Sequence, residues 1–454
     1  IILVKVSHFS SLERRVTISV GTLFGVRMLG LFMVLPVLAS SVEGLDDYSP
    51  LMLGLVIGAY GLTQAILQIP LGLLSDRLGR QTIILFGLTV FVIGSIVAAF
   101  ADSMLDLLIG RALQGMGAIA STLMALVTDL TIEDNRSKAM AIIGGSIGFA
   151  FLLAMMVGPI VTLYLGLSGV FWMTALLGLL GICITIFFIP KISNPARNRE
   201  AVADIQQISA LLIDRTLTRL NIGIFALHFA LMAAFLVIPS ILGKELSINT
   251  GDLPLAYLGL LGGGFFLMLP AMIWAEKHSK QKLVLLVAIS VMAGATFTLG
   301  IQRTIVLTPV LLLVFFAAFN LLEAALPSWL SKSCPVGNRG TAMGIYSTSQ
   351  FLGSFFGGLI GGWTLQYLGV DALFYLVGSI IFIWWLTSLS LQSPRPLKTL
   401  VLGVGELKHQ EFIKIVSNIT GVKDILLVQD ENLAYVQVDR SQADMSSLQP
   451  YFNR

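Results

Sequence analysis

Charge is scarce in this sequence. Only 12% of its 454 residues are Asp, Glu, Lys or Arg, whereas soluble domains carry about 25%. That excludes an ordinary soluble domain. Cysteine is scarcer still. Cys183 lies inside an apolar run and Cys334 in a loop after another. Two thiols so placed make neither a disulfide framework nor a metal-ligand cluster, so no metal site is expected. No nucleotide-binding motif occurs, so ATP is not the direct energy source for any work the chain does. Neither an enzyme's catalytic constellation nor a nucleic-acid partner is expected.

Apolar residues are plentiful. They make up 56% of the chain, with 44 glycines among the rest, which suits helices packed closely in lipid. A spanning helix needs about 20 mostly apolar residues. Twelve segments qualify: 17–41, 52–74, 82–101, 106–129, 139–162, 169–190, 218–242, 253–274, 283–301, 307–330, 340–365 and 371–392. The first follows Arg14-Arg15, is too long for a signal-peptide core and has no small-residue cleavage site, so it reads as a retained helix. Most linkers are short, which makes neighbours antiparallel. The exception is 191–217, polar and basic, which separates an N-terminal bundle (1–190) from a second one (218–392).

Lys and Arg are unevenly placed. Nineteen lie in the loops on the side of the N-terminus, and two, Lys244 and Arg303, on the other. The positive-inside rule then puts both termini and the linker in the cytoplasm.

The chain is built twice. Pro70, Asp76, Arg77 and Arg80 are echoed by Pro270, Glu276, Lys277 and Lys280. Asn135-Arg136-x-x-Ala139-Met140 is echoed, 203 positions on, by Asn338-Arg339-x-x-Ala342-Met343. Two parallel six-helix halves are a secondary-transporter architecture, with substrate sites near the midplane between them. After Pro394 and Pro396 the pattern changes. Strands are expected at 399–404, 421–428 and 434–438, a helix at 409–418 and a weaker one at 442–452. That order is most of a split βαβ unit. The fold class is therefore an all-α membrane protein: twelve transmembrane helices in two pseudo-symmetric six-helix bundles, plus a small α+β ferredoxin-like cytoplasmic C-terminal domain (399–454).

Gly72-Leu-Leu-Ser-Asp76-Arg77-Leu-Gly79-Arg80 is a charged knot between the second and third runs. Gly72 permits a close helix approach and Gly79 a tight turn. An acid here can cap a neighbouring helix N-terminus. The knot resembles motif A of the major facilitator superfamily, and the resemblance covers 17–392. It implies that Asp76 helps hold the cytoplasmic side closed, through the start of span eleven and nearby basic residues. The second copy departs, with Met272 and Ser279 in place of the glycines. Asp129 and Arg136 are expected to join this gate.

Other stretches agree. Leu29-Gly30-Leu-Phe-Met-Val-Leu-Pro36 resembles the first-span motif of proton-coupled drug exporters. Arg111-Ala-Leu-Gln114-Gly115-Met-Gly117 resembles motif B, whose arginine is tied to proton coupling. Gly145 with Ala154-Met-Met-Val-Gly158-Pro159 is similar to motif C, the antiporter signature, where Gly-Pro kinks and thins a helix. Ala154 stands there for a glycine, and Thr162-Leu163 for a usual glycine pair. The tail resembles ferredoxin-like tails of some bacterial members and heavy-metal-associated domains, without any Cys-x-x-Cys.

Ionisable residues inside spans are costly and point to function. They are Arg27, Arg111, His228 and Glu323. Glu323 can carry a proton unless Arg27 or Arg111 pairs with it. His228 is either a second proton carrier or a packed neutral ring. Gln64, Gln68, Gln114, Asn320 and Gln350 are cavity contacts or interhelical hydrogen bonds. The expected function is a secondary active transporter, a proton-coupled exporter of small amphipathic or hydrophobic compounds. It needs no cofactor beyond the proton gradient. It is expected as a monomer in the bacterial inner membrane, with the lipid bilayer and a small-molecule substrate as partners. An importer of the same fold and a membrane sensor acting through its tail are the alternatives.

Overall fold

The computed structural model describes residues 9–131, 133–190, 205–334, 339–393, 397–404, 409–428, 433–439, 445–448 and 451. Among these, ten helices are long and apolar enough to cross a membrane. They are Ser11–Ser41, Pro50–Leu78, Arg80–Ala99, Met104–Leu130, Lys138–Phe188, Arg215–Glu245, Thr250–Lys277, Gln281–Ile301, Leu307–Ser333 and Gly340–Ser388. At about 1.5 Å per residue, the fifth and tenth are far too long for one crossing. Each is broken by one glycine outside helical dihedrals, Gly166 (φ 67°) and Gly369 (φ 86°). Counting the two sides of each break separately gives twelve apolar segments, numbered here as spans one to twelve.

Local chemistry sets the helix starts. Ser10 and Glu13 form a reciprocal capping box at the head of span one, as do Ser103 and Asp106 at span four. Ser49 caps span two, with Pro50 next, and Asp214 caps span seven through two backbone N–H groups. Each cap satisfies donors that would otherwise be orphaned at a helix end.

The internal repeat reappears as matched breaks. Span one stops at Phe32 and resumes at Leu35, with Pro36 in its first turn. Span seven stops at Phe235 and resumes at Ile238, with Pro239 in its first turn. Pro36 and Pro239 are 203 residues apart, and so are Gly166 and Gly369. The offset seen at Asn135 and Asn338 thus recurs where the backbone departs from helix.

One face of the helical body carries Arg15, Arg80, Arg219 and Lys282, and is called the basic face. Arg15 donates to the carbonyls of Phe187 and Phe188, Arg219 to Ser390 and Lys282 to Leu389. All these bonds stay within one half. Among the described residues, side-chain hydrogen bonds between halves lie at mid-depth and at the opposite face. There the Tyr257 hydroxyl donates to the Pro36 carbonyl at 3.2 Å, Lys244 to Glu43 at 2.8 Å, and the Leu51 N–H to Gln366 at 3.2 Å. Spans two and eleven make the tightest seam. A Cβ on Gly58 would lie 2.8 Å from the Phe355 carbonyl, and one on Gly61 2.6 Å from that of Phe351. Gly54 and Gly358 each lie against the other's carbonyl.

The linker's second part is the helix Ile205–Ile213; residues 191–204 lie outside the described residues. Beyond the spans, strands β1 (Leu397–Gly403), β2 (Val422–Val428) and β3 (Leu433–Asp439) form an antiparallel sheet in the order β1-β3-β2. Helix His409–Ser417 buries Phe412 and Val416 against Leu402, Ala434 and Val436. Of the weaker helix expected at 442–452, Met445–Leu448 is helical, and most of the remainder lies outside the described residues.

The glycine seam predicts a directional effect. Gly358→Val should part spans two and eleven, because no rotamer clears a backbone carbonyl. Maleimide labelling of Leu51→Cys should rise against the same cysteine in a wild-type background. Unchanged labelling would mean that the seam does not hold this face shut.

Candidate gate and central polar site

The knot after span two is organised around Arg80. Gly79 adopts φ 92° and ψ 141°, a conformation essentially reserved for glycine, and this turn starts span three at Arg80. The guanidinium forms an ion pair with Asp76, donates to Asp129 Oδ2 at 3.0 Å and to Ser75 Oγ at 2.6 Å. The Arg80 side chain is 6% exposed and that of Asp129 2%. Spans two, three and four are tied together at this point. Gly72 packs against a side chain, not a backbone: its Cβ would meet Ser121 Oγ at 3.0 Å, and that hydroxyl donates to the Gln68 carbonyl. Arg77 is exposed.

The resemblance implied that Asp76 acts through the start of span eleven and nearby basic residues, of which Arg80 is one, and Asp129 was expected to join the gate with Arg136. Here Asp76 pairs inside its own half, with Arg80, and Asp129 also receives Arg80. The Arg136 side chain lies outside the described residues.

At mid-depth the N-terminal half carries two buried guanidinium groups. Arg27 donates to the Tyr60 hydroxyl at 3.0 Å and to Gln64 Oε1 at 2.6 Å, and Gln64 donates on to Gln68. Arg111 sits over the ring of the same tyrosine, 5.2 Å from its centroid, a cation–π contact. It donates to Gln114 at 2.9 Å, and Gln114 to Ser95. Glycines allow this crowding. Gly115 lies against the Tyr60 carbonyl, and Gly117 against that of Gly87. Span four also loses helical dihedrals at Gly117 before resuming at Ala120.

The C-terminal half answers with an acid and an imidazole. The Gln350 amide nitrogen lies 3.3 Å from Glu323 Oε1 and 2.8 Å from His228 Nε2. Donation to both makes Nε2 the acceptor and leaves the ring proton on Nδ1, 3.8 Å from Glu323 Oε2. The Glu323 side chain is 38% exposed and that of His228 6%. Spans seven, ten and eleven thus converge on one polar cluster. Neither Arg27 nor Arg111 pairs with Glu323 among the described residues. Asn320 donates to the Leu261 carbonyl at 3.3 Å, an interhelical bond. Aromatic rings lie between the halves: Phe151 meets Phe32 at 4.8 Å and Phe319 at 6.2 Å, and Phe351 meets Tyr60 at 6.3 Å.

In span five Gly158 sits against the Met33 carbonyl at the break in span one, so the Gly158-Pro159 pair thins the helix where span one changes direction. Nothing lies within 4 Å of a Cβ at Gly145. The helix continues through Gly145 and Pro159, and departs from helical dihedrals at Gly166. Gly166 is the turn that separates spans five and six, and Pro159 lies inside span five.

The chain matches the family profile described as Major Facilitator Superfamily over residues 17–269 and 220–426. The chain belongs to that superfamily. It is 42% identical to the inner membrane transport protein YajR of Escherichia coli, over 94% of each chain. It is 37% identical to an uncharacterized transporter, BU466, of Buchnera aphidicola, over 76% of this chain and 89% of that one. It is 24% identical to Multidrug resistance protein 2 of Bacillus subtilis, over 79% and 90%. Among solved structures it is similar in fold to a bacterial homologue of the human lysosomal transporter Spinster. That match has a TM-score of 0.64 at 14% identity, over 84% of this chain and 98% of that one.

This superfamily member is a multi-pass membrane transporter, not an enzyme. Tyr60 and Ser95 escaped the sequence reading, although Tyr60, Gln64 and Gln68 share one face of span two at helical spacing. Ser75 escaped too, hidden among the charges of the knot. A buried guanidinium binding two carboxylates is costly to remove, because the acids keep their burial and lose their partner. Arg80→Ala should therefore lower stability by about 3–5 kcal/mol, read as a drop in thermal midpoint in detergent. Arg77→Ala, at an exposed position, should leave the midpoint nearly unchanged.

Proposed function

We propose that this transporter works by alternating access, exporting small amphipathic or hydrophobic compounds in exchange for protons. In this reading the basic face is cytoplasmic, both termini lie there, and the chain acts as a monomer in a bacterial cytoplasmic membrane. One observation carries it. A carboxylate, an imidazole and an amide from three spans meet at mid-depth, beside the seam of spans two and eleven that joins the halves. A proton held there changes the charge between the halves, and charge in a low-dielectric space biases which packing is favoured. The rings of Phe32, Phe151, Phe319 and Phe351 suit an apolar passenger, and the likeness to a multidrug resistance protein supports export. Breaking the seam of spans two and eleven while Asp76 engages the start of span eleven would open the opposite face.

The tail fits three strands of a ferredoxin-like unit, since its order β1-β3-β2 is that of a βαββαβ sheet lacking its last strand. Without a Cys-x-x-Cys pair it carries no thiolate metal site of the heavy-metal-associated kind.

The test is transport in proteoliposomes with an imposed pH gradient. Amphipathic substrates should move against the proton flow, with matching alkalinisation or acidification of the lumen. Glu323→Gln should abolish the pH dependence while substrate binding persists. PH dependence that survives in Glu323→Gln would make Glu323 a packing residue.

A further inference from the structure

Arg27 and Arg111 pose an unanswered electrostatic question. Each is 1% exposed. Neither has a carboxylate within salt-bridge distance among the described residues. Arg27 Nε and Nη1 and Arg111 Nε, all buried, have no hydrogen-bond partner. Arg27 uses only Nη2, on Tyr60 and Gln64. Two desolvated cations against one tyrosine are expensive in isolation, and such groups normally pair or neutralise. Glu323, the acid at mid-depth in the other half, is held by Gln350 instead.

The location adds a second argument. Tyr60, which both guanidinium groups touch, packs against Phe351 of the opposite half. The cations therefore lie beside the seam that must part during a transport cycle, next to aromatic surface. We propose that Arg27, with Tyr60 and Gln64 beside it, is the recognition point for an anionic head group on an apolar body. A carboxylate is the simplest such group. It takes the place of the Gln64 carbonyl on Nη2, reaches the idle Nε–H or Nη1–H, and accepts two parallel bonds in the fork geometry that guanidinium offers. Arg111 supplies the second positive charge at Tyr60. This deepens the export reading and rests on it, because it names the passenger as an amphipathic anion.

The experiment uses the full chain in a neutral detergent at neutral pH. Thermal unfolding is followed with benzoate, 2-naphthoate and 4-phenylbutyrate, and with the uncharged amide of each. At least one carboxylate should raise the midpoint saturably while its amide does not, a comparison that needs no variant. Arg27→Gln should weaken that carboxylate by about tenfold or more, and Arg27→Lys should restore part of it. Equal shifts from carboxylate and amide, no shift from any carboxylate, or a full shift surviving in Arg27→Gln would overturn the proposal. Should Arg27→Gln fail to fold, the carboxylate–amide comparison decides alone. Carboxylate binding with no flux in proteoliposomes would leave this site standing and remove the export reading. Flux of uncharged amphiphiles without carboxylate binding would do the reverse.

Discussion

Everything in this structure depends on backbones that touch. Lipid tails are as apolar as leucine, so the hydrophobic effect does not press one helix against another inside a bilayer. What remains is van der Waals approach and a few hydrogen bonds. Spans two and eleven meet through Gly54, Gly58, Gly61, Gly358 and Gly362, where a Cβ would run into carbonyl oxygens. That seam joins the halves at one face and fixes which face is shut. The setting of Phe351 against Tyr60 follows from it.

The same scarcity of driving force explains why polar groups matter so much here. Each buried donor must be satisfied from within the protein. The N-terminal half answers with a chain of side chains, Arg27 to Gln64 to Gln68 and Arg111 to Gln114 to Ser95. The C-terminal half uses one amide, Gln350, to hold both His228 and Glu323. One half is rich in cations and the other holds the acid and the imidazole. A charge arriving between them, whether proton or substrate, is therefore felt by both halves.

Much of this was legible in the sequence. Apolar length found the spans, Lys and Arg placement found the basic face, and the doublets found the repeat. The polar points at Gln64, Gln68, Gln114 and Gln350 were visible because polar residues inside apolar runs are few. What could not be read was pairing. Nothing in spacing tells that Gln350 reaches two partners from other spans, or that Arg80 draws Asp129 across 49 residues. The glycine seam was equally hidden, since 44 glycines leave too many pairings and only packing selects among them. The break at Gly166 falls in the gap the apolar runs left between 162 and 169, as the one at Gly369 falls between 365 and 371.

The two copies of the charged knot keep one turn and differ in what they build on it. In the first, Gly79 turns the chain so that Arg80 points inward to Ser75, Asp76 and Asp129. In the second, Ser279 stands at the matching place with φ 52°, so the turn is kept although the glycine is lost. A left-handed residue without glycine's freedom costs of order 1–2 kcal/mol, and here that strain serves no inward contact. Ala275 replaces Ser75, and Glu276, Lys277 and Lys280 are all exposed. The turn therefore belongs to the fold, because both halves need it to join consecutive spans. The buried guanidinium is particular to the first half, where Arg80 ties Asp76, Asp129 and Ser75 together.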